Sequence, residues 1–227
     1  MRTQFDRDLD RIRGNILALG ERANQATARA VNALIKRDFS EAREVKRDDH
    51  STDALRYQVE NECMVLLATQ QPVTRDLREL VAATFVAVEL ERCGDYAKGV
   101  AKAARRITRA NTDISIYNLA EMEALARDMV QRSVNAFVTK DAKAAEAVIV
   151  DDERMDRMYD DLLNGVMTDM INNGAHIEGG TWLIHAGHCL ERTADRATNI
   201  AERVLFVATG NITGDLNVHS FEQSRKV

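Results

Sequence analysis

The chain has 227 residues, 30% of them charged, a net charge of −5 and a single proline. That balance weighs against nucleic acid as the main target. With no apolar run of about 18 residues and no signal-type apolar core in the amino-terminal MRTQFDRDLDRIRGN, a soluble cytoplasmic protein is expected, meeting a membrane only through partners. Few aromatics among many charges suit long helices with narrow apolar stripes, and a chain of this length buries a sufficient core without disulfides or structural metal. The cysteines Cys63, Cys93 and Cys189 are odd in number and lack CxxC spacing, so buried free thiols are expected.

In chain order, residues 3–37 read as a helix, because Phe5, Leu9, Ile12, Ile16, Leu19, Ala23, Ala26, Ala30 and Ala33 follow an unbroken 4-3-4-3 seam. Asp38-Phe39-Ser40 supplies a short break and a helix cap. A second helix is predicted over 40–70, and Gln71-Pro72-Val73-Thr74 turns the chain, with Thr74 placed to cap a third helix running to Arg109. The second half repeats this scheme. Val31-Asn32-Ala33-Leu34-Ile35-Lys36-Arg37-Asp38 matches Val134-Asn135-Ala136-Phe137-Val138-Thr139-Lys140-Asp141, and Glu91-Arg92-Cys93-Gly94-Asp95 matches Glu191-Arg192-Thr193-Ala194-Asp195. The shift between matched residues shortens between these two blocks, at a loop where Asn172-Asn173-Gly174 and Gly179-Gly180 replace the proline. The prediction is all-α: two tandem antiparallel three-helix bundles related by internal duplication. The repeats are residues 1–112 and 113–210, followed by a tail, 211–227.

Carboxylates mark both repeats. Glu91 and Asp95 lie one turn apart on a helix face, as do Glu191 and Asp195, and each pair has an upstream acidic pair: Asp49 with Asp53, and Asp152 with Asp156. The two members of each set are equidistant from a turn, at Pro72 and at Asn173–Gly174, so a helical hairpin brings all four acids to one level. One such pair taken alone is ordinary solvated surface. Four in repeat-equivalent places, folded onto each other, repel and require a neutralising partner: protons, arginines or a cation. Oxygen-only donors suit magnesium, manganese, calcium or iron, with zinc less favoured in the absence of a histidine or cysteine set. The Glu-x-x-His pattern of di-iron bundles is missing. His188 can add a nitrogen ligand beside Glu191, although its counterpart is Val88, and His50 is expected to be exposed. The basic run Lys98, Lys102, Arg105, Arg106 and Arg109 reads as compensation of a helix dipole. Met122, Met129, Met155, Met158, Met167 and Met170 read as core, and Trp182 as an anchor near the start of the sixth helix. No nucleophile–base set, phosphate-binding loop or dinucleotide fingerprint occurs.

Two copies of a three-helix unit, each with an acidic pair in its second helix and an E-R-x-x-D segment in its third, resemble the PhoU family. Glu91-Arg92-Cys93-Gly94-Asp95-Tyr96-Ala97 and Glu191-Arg192-Thr193-Ala194-Asp195 are similar to its E(D)xxxD signatures, and Gln71-Pro72-Val73-Thr74-Arg75-Asp76-Leu77-Arg78 to its Q-P-x-x-x-D-L-R turn. Asn199 fits the D-x-A-x-N-I-A run, whereas the first repeat has Gly99 there, which makes the first face the weaker match. The resemblance implies a cytoplasmic, often homodimeric, non-enzymatic regulator of phosphate uptake and the phosphate-starvation response. Its implied partners are the ATP-binding subunit of the phosphate ABC transporter and a sensor histidine kinase. It also implies iron or zinc clusters on the acidic faces, with Asp49, Asp53, Glu91, Asp95, Asp152, Asp156, Glu191 and Asp195 as ligands. The alternative reading of the same carboxylates is a metal-dependent phosphohydrolase.

Overall fold

A computed structural model describes residues 2–48 and 50–210, except for the side chains of residues 2, 3, 48, 50 and 51. It has helices α1 (Arg2–Ile35), α2 (Phe39–Asp48), α3 (His50–Gln70), α4 (Thr74–Ala110), α5 (Leu119–Thr139), α6 (Ala142–Asn172) and α7 (Ile177–Thr209), with a 3-10 turn over Gly174–His176. The predicted second helix is thus described as α2 and α3, on either side of Asp49. Among the described residues there are no strands, and no helix is long and apolar enough to cross a membrane. The predicted tail lies outside the described residues.

The seam of α1 is buried throughout except at Ala26, which is partly covered. Equivalent residues start the second helix of each repeat. Arg37 and Lys140 both adopt left-handed φ angles, of 53° and 58°, and reverse the chain. Asp38 Oδ1 then accepts from the Glu41 amide and Asp141 Oδ1 from the Ala144 amide, each at 3.0 Å, satisfying first-turn donors. Thr74 does not cap as expected. The helix begins with Thr74 itself, and the cap position, Val73, offers no side-chain hydrogen bond. Thr74 is one residue too late for its hydroxyl to reach the amides it would serve.

The predicted core is largely present, with Met122, Met129 and Met155 fully enclosed, but Met167 is 48% exposed and belongs to the surface. All three cysteines are buried free thiols. The two repeats share one contiguous hydrophobic cluster, with α4 of the first packed along α7 of the second as the most extensive helix pair. Arg78 meets Gly210, Phe85 meets Arg203 at 3.9 Å, Glu89 meets Asn199 at 3.1 Å, and Arg106 meets Trp182 at 5.3 Å. These pairs define one antiparallel register along nearly the whole of both helices.

Two buried glutamates of α4 tie the repeats together. Glu79, 1% exposed, pairs with Arg13 of α1 at 2.6 Å and with Lys140, just after α5, at 2.5 Å. Glu89, 2% exposed, accepts from Arg196 Nη1 and Asn199 Nδ2 of α7, both at 3.1 Å. Buried carboxylates are costly unless paired and hydrogen-bonded, so each strongly favours the arrangement that provides its cations.

Candidate functional site

The hairpins place the predicted acids together in both repeats, as far as they are described. On the second face, Asp152 and Asp156 of α6 lie close enough to Asp195 of α7 for its charge to act on both. Burial, then the Asp195 and Asp156 carboxylates, push the Asp152 carboxyl up to about 6. Glu191 rises to about 7, through burial and the Asp195 charge, with Arg192 opposing. Asp156 is raised by burial and by Asp195. Each of these groups is held towards its neutral form by loss of water and by like charge.

Neutralising groups here sit at the rim. Arg192 Nη1 donates to Asp195 Oδ2 at 2.9 Å and its Nε is 3.6 Å from Glu191 Oε2. His188 Nδ1 is 3.3 Å from the same Glu191 oxygen, so the histidine does reach this face. Glu191 Oε2 is nonetheless buried and accepts no hydrogen bond. Thr198 and Glu202 of α7 also face Asp152; sequence reading missed both, although their positions four residues apart continue the acidic stripe along α7.

The first face is built differently. Glu91 is raised by burial and by Asp95, with Asp53 of α3 adding to the effect and Arg56 opposing it. Asp49, the fourth predicted ligand, lies outside the described residues. Arg56 is set inside this face: its side chain is 17% exposed, it donates to Glu60 Oε1 at 2.7 Å, and it stacks 4.0 Å over Tyr57. Lys98 Nζ is 2.5 Å from Asp95. The matching residues of the second repeat are Tyr159 and Thr198, neither of which supplies positive charge. The first face therefore holds cations at two positions where the second has uncharged residues, while the cations of the second, Arg192 and Arg196, stand beside Asp195. The repeat alignment carried this signal, as a charged residue aligned with an uncharged one.

A multivalent cation would suit the second face in charge and donor type: the donors are oxygens, mutually repelling, with one buried oxygen unpartnered. In their present rotamers no three histidine, cysteine, aspartate or glutamate side chains among the described residues converge on one ion.

A PhoU domain model matches residues 16–104 and again 119–204. The chain belongs to the PhoU family. The phosphate-specific transport system accessory protein PhoU homolog of Pseudomonas aeruginosa is 32% identical over 208 residues, covering 91% of this chain and 86% of the relative. That of Xylella fastidiosa is 34% identical over 209 residues, covering 91% and 85%. The crystal structure of PhoU from Pseudomonas aeruginosa superposes with a TM-score of 0.87 at 31% identity, covering 91% of this chain and all of that one. The phosphate transport system regulatory protein PhoU from Streptococcus pneumoniae gives 0.84 at 28% identity, covering 93% of this chain and all of that one.

The departure from the PhoU pattern at Gly99 has a packing cause. Asn199 serves the α4–α7 seam, where it holds Glu89. Gly99 occupies the repeat-equivalent place on α4, and a Cβ there would come within 2.6 Å of Cys189 Sγ. Cys189 in turn is the equivalent of Glu89. One end of the seam thus pairs glutamate with asparagine, and the other pairs cysteine with glycine. The change at Gly99 is matched across the interface, away from the acidic face it adjoins in sequence.

Proposed function

We propose that the chain is a non-enzymatic, cytoplasmic negative regulator of phosphate uptake and of the phosphate-starvation response, built from repeats 1–112 and 113–210. It couples a phosphate ABC transporter, through its ATP-binding subunit, to a sensor histidine kinase, and acts as a homodimer. The observation that carries this reading is the family match to both repeats in turn, over nearly the whole described chain. The acidic faces bring like charges together, and the second is where a metal ion is held, by Asp152, Asp156, Glu191 and Asp195. When bound, the ion supplies neutralisation of the carboxylates and a bridge to phosphate or to an acidic group on a partner. Asp53, Glu91 and Asp95, with Asp49, form the corresponding set in the first repeat, where Arg56 and Lys98 already supply positive charge.

The test is genetic and chemical together. Expressed in a bacterium whose own homologue has been deleted, the chain is expected to silence a phosphate-starvation reporter in phosphate-replete medium. A reporter that stays on while the protein accumulates refutes the regulatory reading. Total metal analysis of the purified protein is expected to fall for Glu191→Ala and to change little for Glu91→Ala. Equal, negligible metal in all three proteins reduces the faces to electrostatic surfaces. Turnover of a phosphoester that disappears with Glu191→Ala overturns the non-enzymatic assignment.

A further inference from the structure

Away from both acidic faces, the carboxyl half of α4 carries a strip of positive charge that pairs with no carboxylate among the described residues. Lys102, Arg106 and Arg109 are exposed and Arg105 is half-buried. At helical spacing the four fall within about 100° of the helix circumference and rise over about 10 Å. Among the described residues none of the four has a carboxylate oxygen within 4.0 Å. They are backed by aromatic rings instead. Lys102 Nζ and Arg106 Cζ lie 5.4 and 5.3 Å from the Trp182 ring centre, and Arg105 and Arg109 both lie 5.1 Å from that of Phe39. Trp182 is itself wedged edge-on against His185, with ring centres 5.7 Å apart. The Arg105 Nε is buried without a hydrogen-bond partner.

Cations near a helix carboxyl terminus have an ordinary explanation in the helix dipole, and the second repeat allows it to be checked. At the equivalent positions α7 has Glu202, Leu205, Phe206 and Thr209. It has no basic residue in its last turn and closes on Gly210 in a left-handed cap. The equivalent helix therefore forms with no cation at these four positions or in its last turn. The strip is a property of the first repeat alone, and it leaves like charges one turn apart, which is unfavourable within the helix.

We propose that this strip is a docking surface for an acidic polypeptide segment of a partner protein. The proposal does not depend on metal at the acidic faces. The charge favours an anion, and the shape favours an extended one, since the cations form an open row along a helix. A small free anion is poorly served, because this is the negative end of the helix dipole and the backbone amides here are committed to the helix. Carboxylates spaced by one turn on a partner helix match the spacing of Lys102 with Arg106 and of Arg105 with Arg109. The aromatic backing holds the cationic groups in place before binding, which lowers the ordering cost of association. On a chain of net charge −5, such a strip also orients an acidic partner as it approaches.

Trp182 is the single tryptophan of the chain and lies directly beneath two of these cations, so its emission reports on the strip. Titration of the full chain with a short poly-L-glutamate is expected to give a saturable change in Trp182 emission that weakens as salt is added. Anisotropy of labelled poly-L-glutamate provides a second readout, independent of the tryptophan. In it, Lys102→Gln/Arg106→Gln and Arg105→Gln/Arg109→Gln are each expected to weaken binding about tenfold. Arg203→Gln, which removes the cation over Phe85 at the other end of the seam, is expected to bind as the unmodified chain does. Unchanged binding by both strip variants overturns the proposal, as does a lack of any binding to the unmodified chain. Strip-dependent binding of phosphatidylglycerol vesicles or of inorganic phosphate, with none of poly-L-glutamate, overturns it in favour of a membrane or a phosphate site.

Discussion

Glu89→Ala is expected to weaken the joint between the two repeats more than any change on the acidic faces. Glu89 is 2% exposed and holds Arg196 and Asn199 of α7 at 3.1 Å. Removing one partner of a buried ion pair costs about 3–5 kcal/mol. The lower end applies, because Arg196 keeps Asp195 at 3.7 Å and is itself 14% exposed. Asn199 loses one hydrogen bond, worth about 1 kcal/mol and already included in that loss. A net loss of about 3 kcal/mol in a chain of this size lowers the melting temperature by about 6–12 °C. Thermal and urea unfolding of Glu89→Ala, Asn199→Ala and the double variant make a double-mutant cycle, with an expected coupling of about 1 kcal/mol. The triple variant Glu89→Cys, Arg196→Tyr, Asn199→Gly copies the opposite end of the seam, where Cys189, Tyr96 and Gly99 stand. It is expected to recover a large part of the loss. If Glu89→Ala melts with the unmodified chain, the clasp is not what joins the repeats.

Gly99→Ala forces a Cβ to within 2.6 Å of Cys189 Sγ and is expected to cost about 1–3 kcal/mol; adding Cys189→Ala removes the clashing sulfur and should restore most of the stability in the same unfolding assay. The second acidic face predicts an inverted pH dependence for metal-free protein. Glu191 and Asp152 are raised from ordinary values of 4.5 and 3.8 to about 7 and about 6, so the folded state binds more protons and its stability falls as pH rises from about 4 to about 7. The loss is about 1 kcal/mol, allowing for the solvent that still reaches both groups, and Glu191→Gln should flatten the curve; stability that rises over this range contradicts the repulsion. Arg56→Tyr makes the first face resemble the second and is expected to raise the metal content of the purified protein, read by elemental analysis, whereas an unchanged content denies Arg56 the part of a built-in cation.

Much of the architecture was legible in the residue order because a helical bundle is written in local periodicity. The apolar seam of α1, the caps at Asp38 and Asp141, and the equidistance of the acids from each turn need only the geometry of a helix and a hairpin. That geometry is sufficient to bring Asp53 to Glu91 and Asp152 to Asp195. The start of α4 at Thr74 was legible, but its cap was not, since a cap depends on which amide a hydroxyl reaches and not on composition. Met167 was misplaced because helical spacing places a side chain on a face without saying whether another element covers that face.

By itself, then, the sequence determined the helices, their hairpins and the duplication, all of which rest on contacts between residues close in the chain or mirrored about a turn. Only the tertiary structure decided how the two repeats join. The α4–α7 register matches residues roughly seventy-five to one hundred and thirty apart, a pairing that no periodicity specifies. It is set by which buried charges find partners and which small residues leave room. The difference between the acidic faces was visible in the repeat alignment as Arg56 opposite Tyr159, but that Arg56 turns into its face was decided only in space.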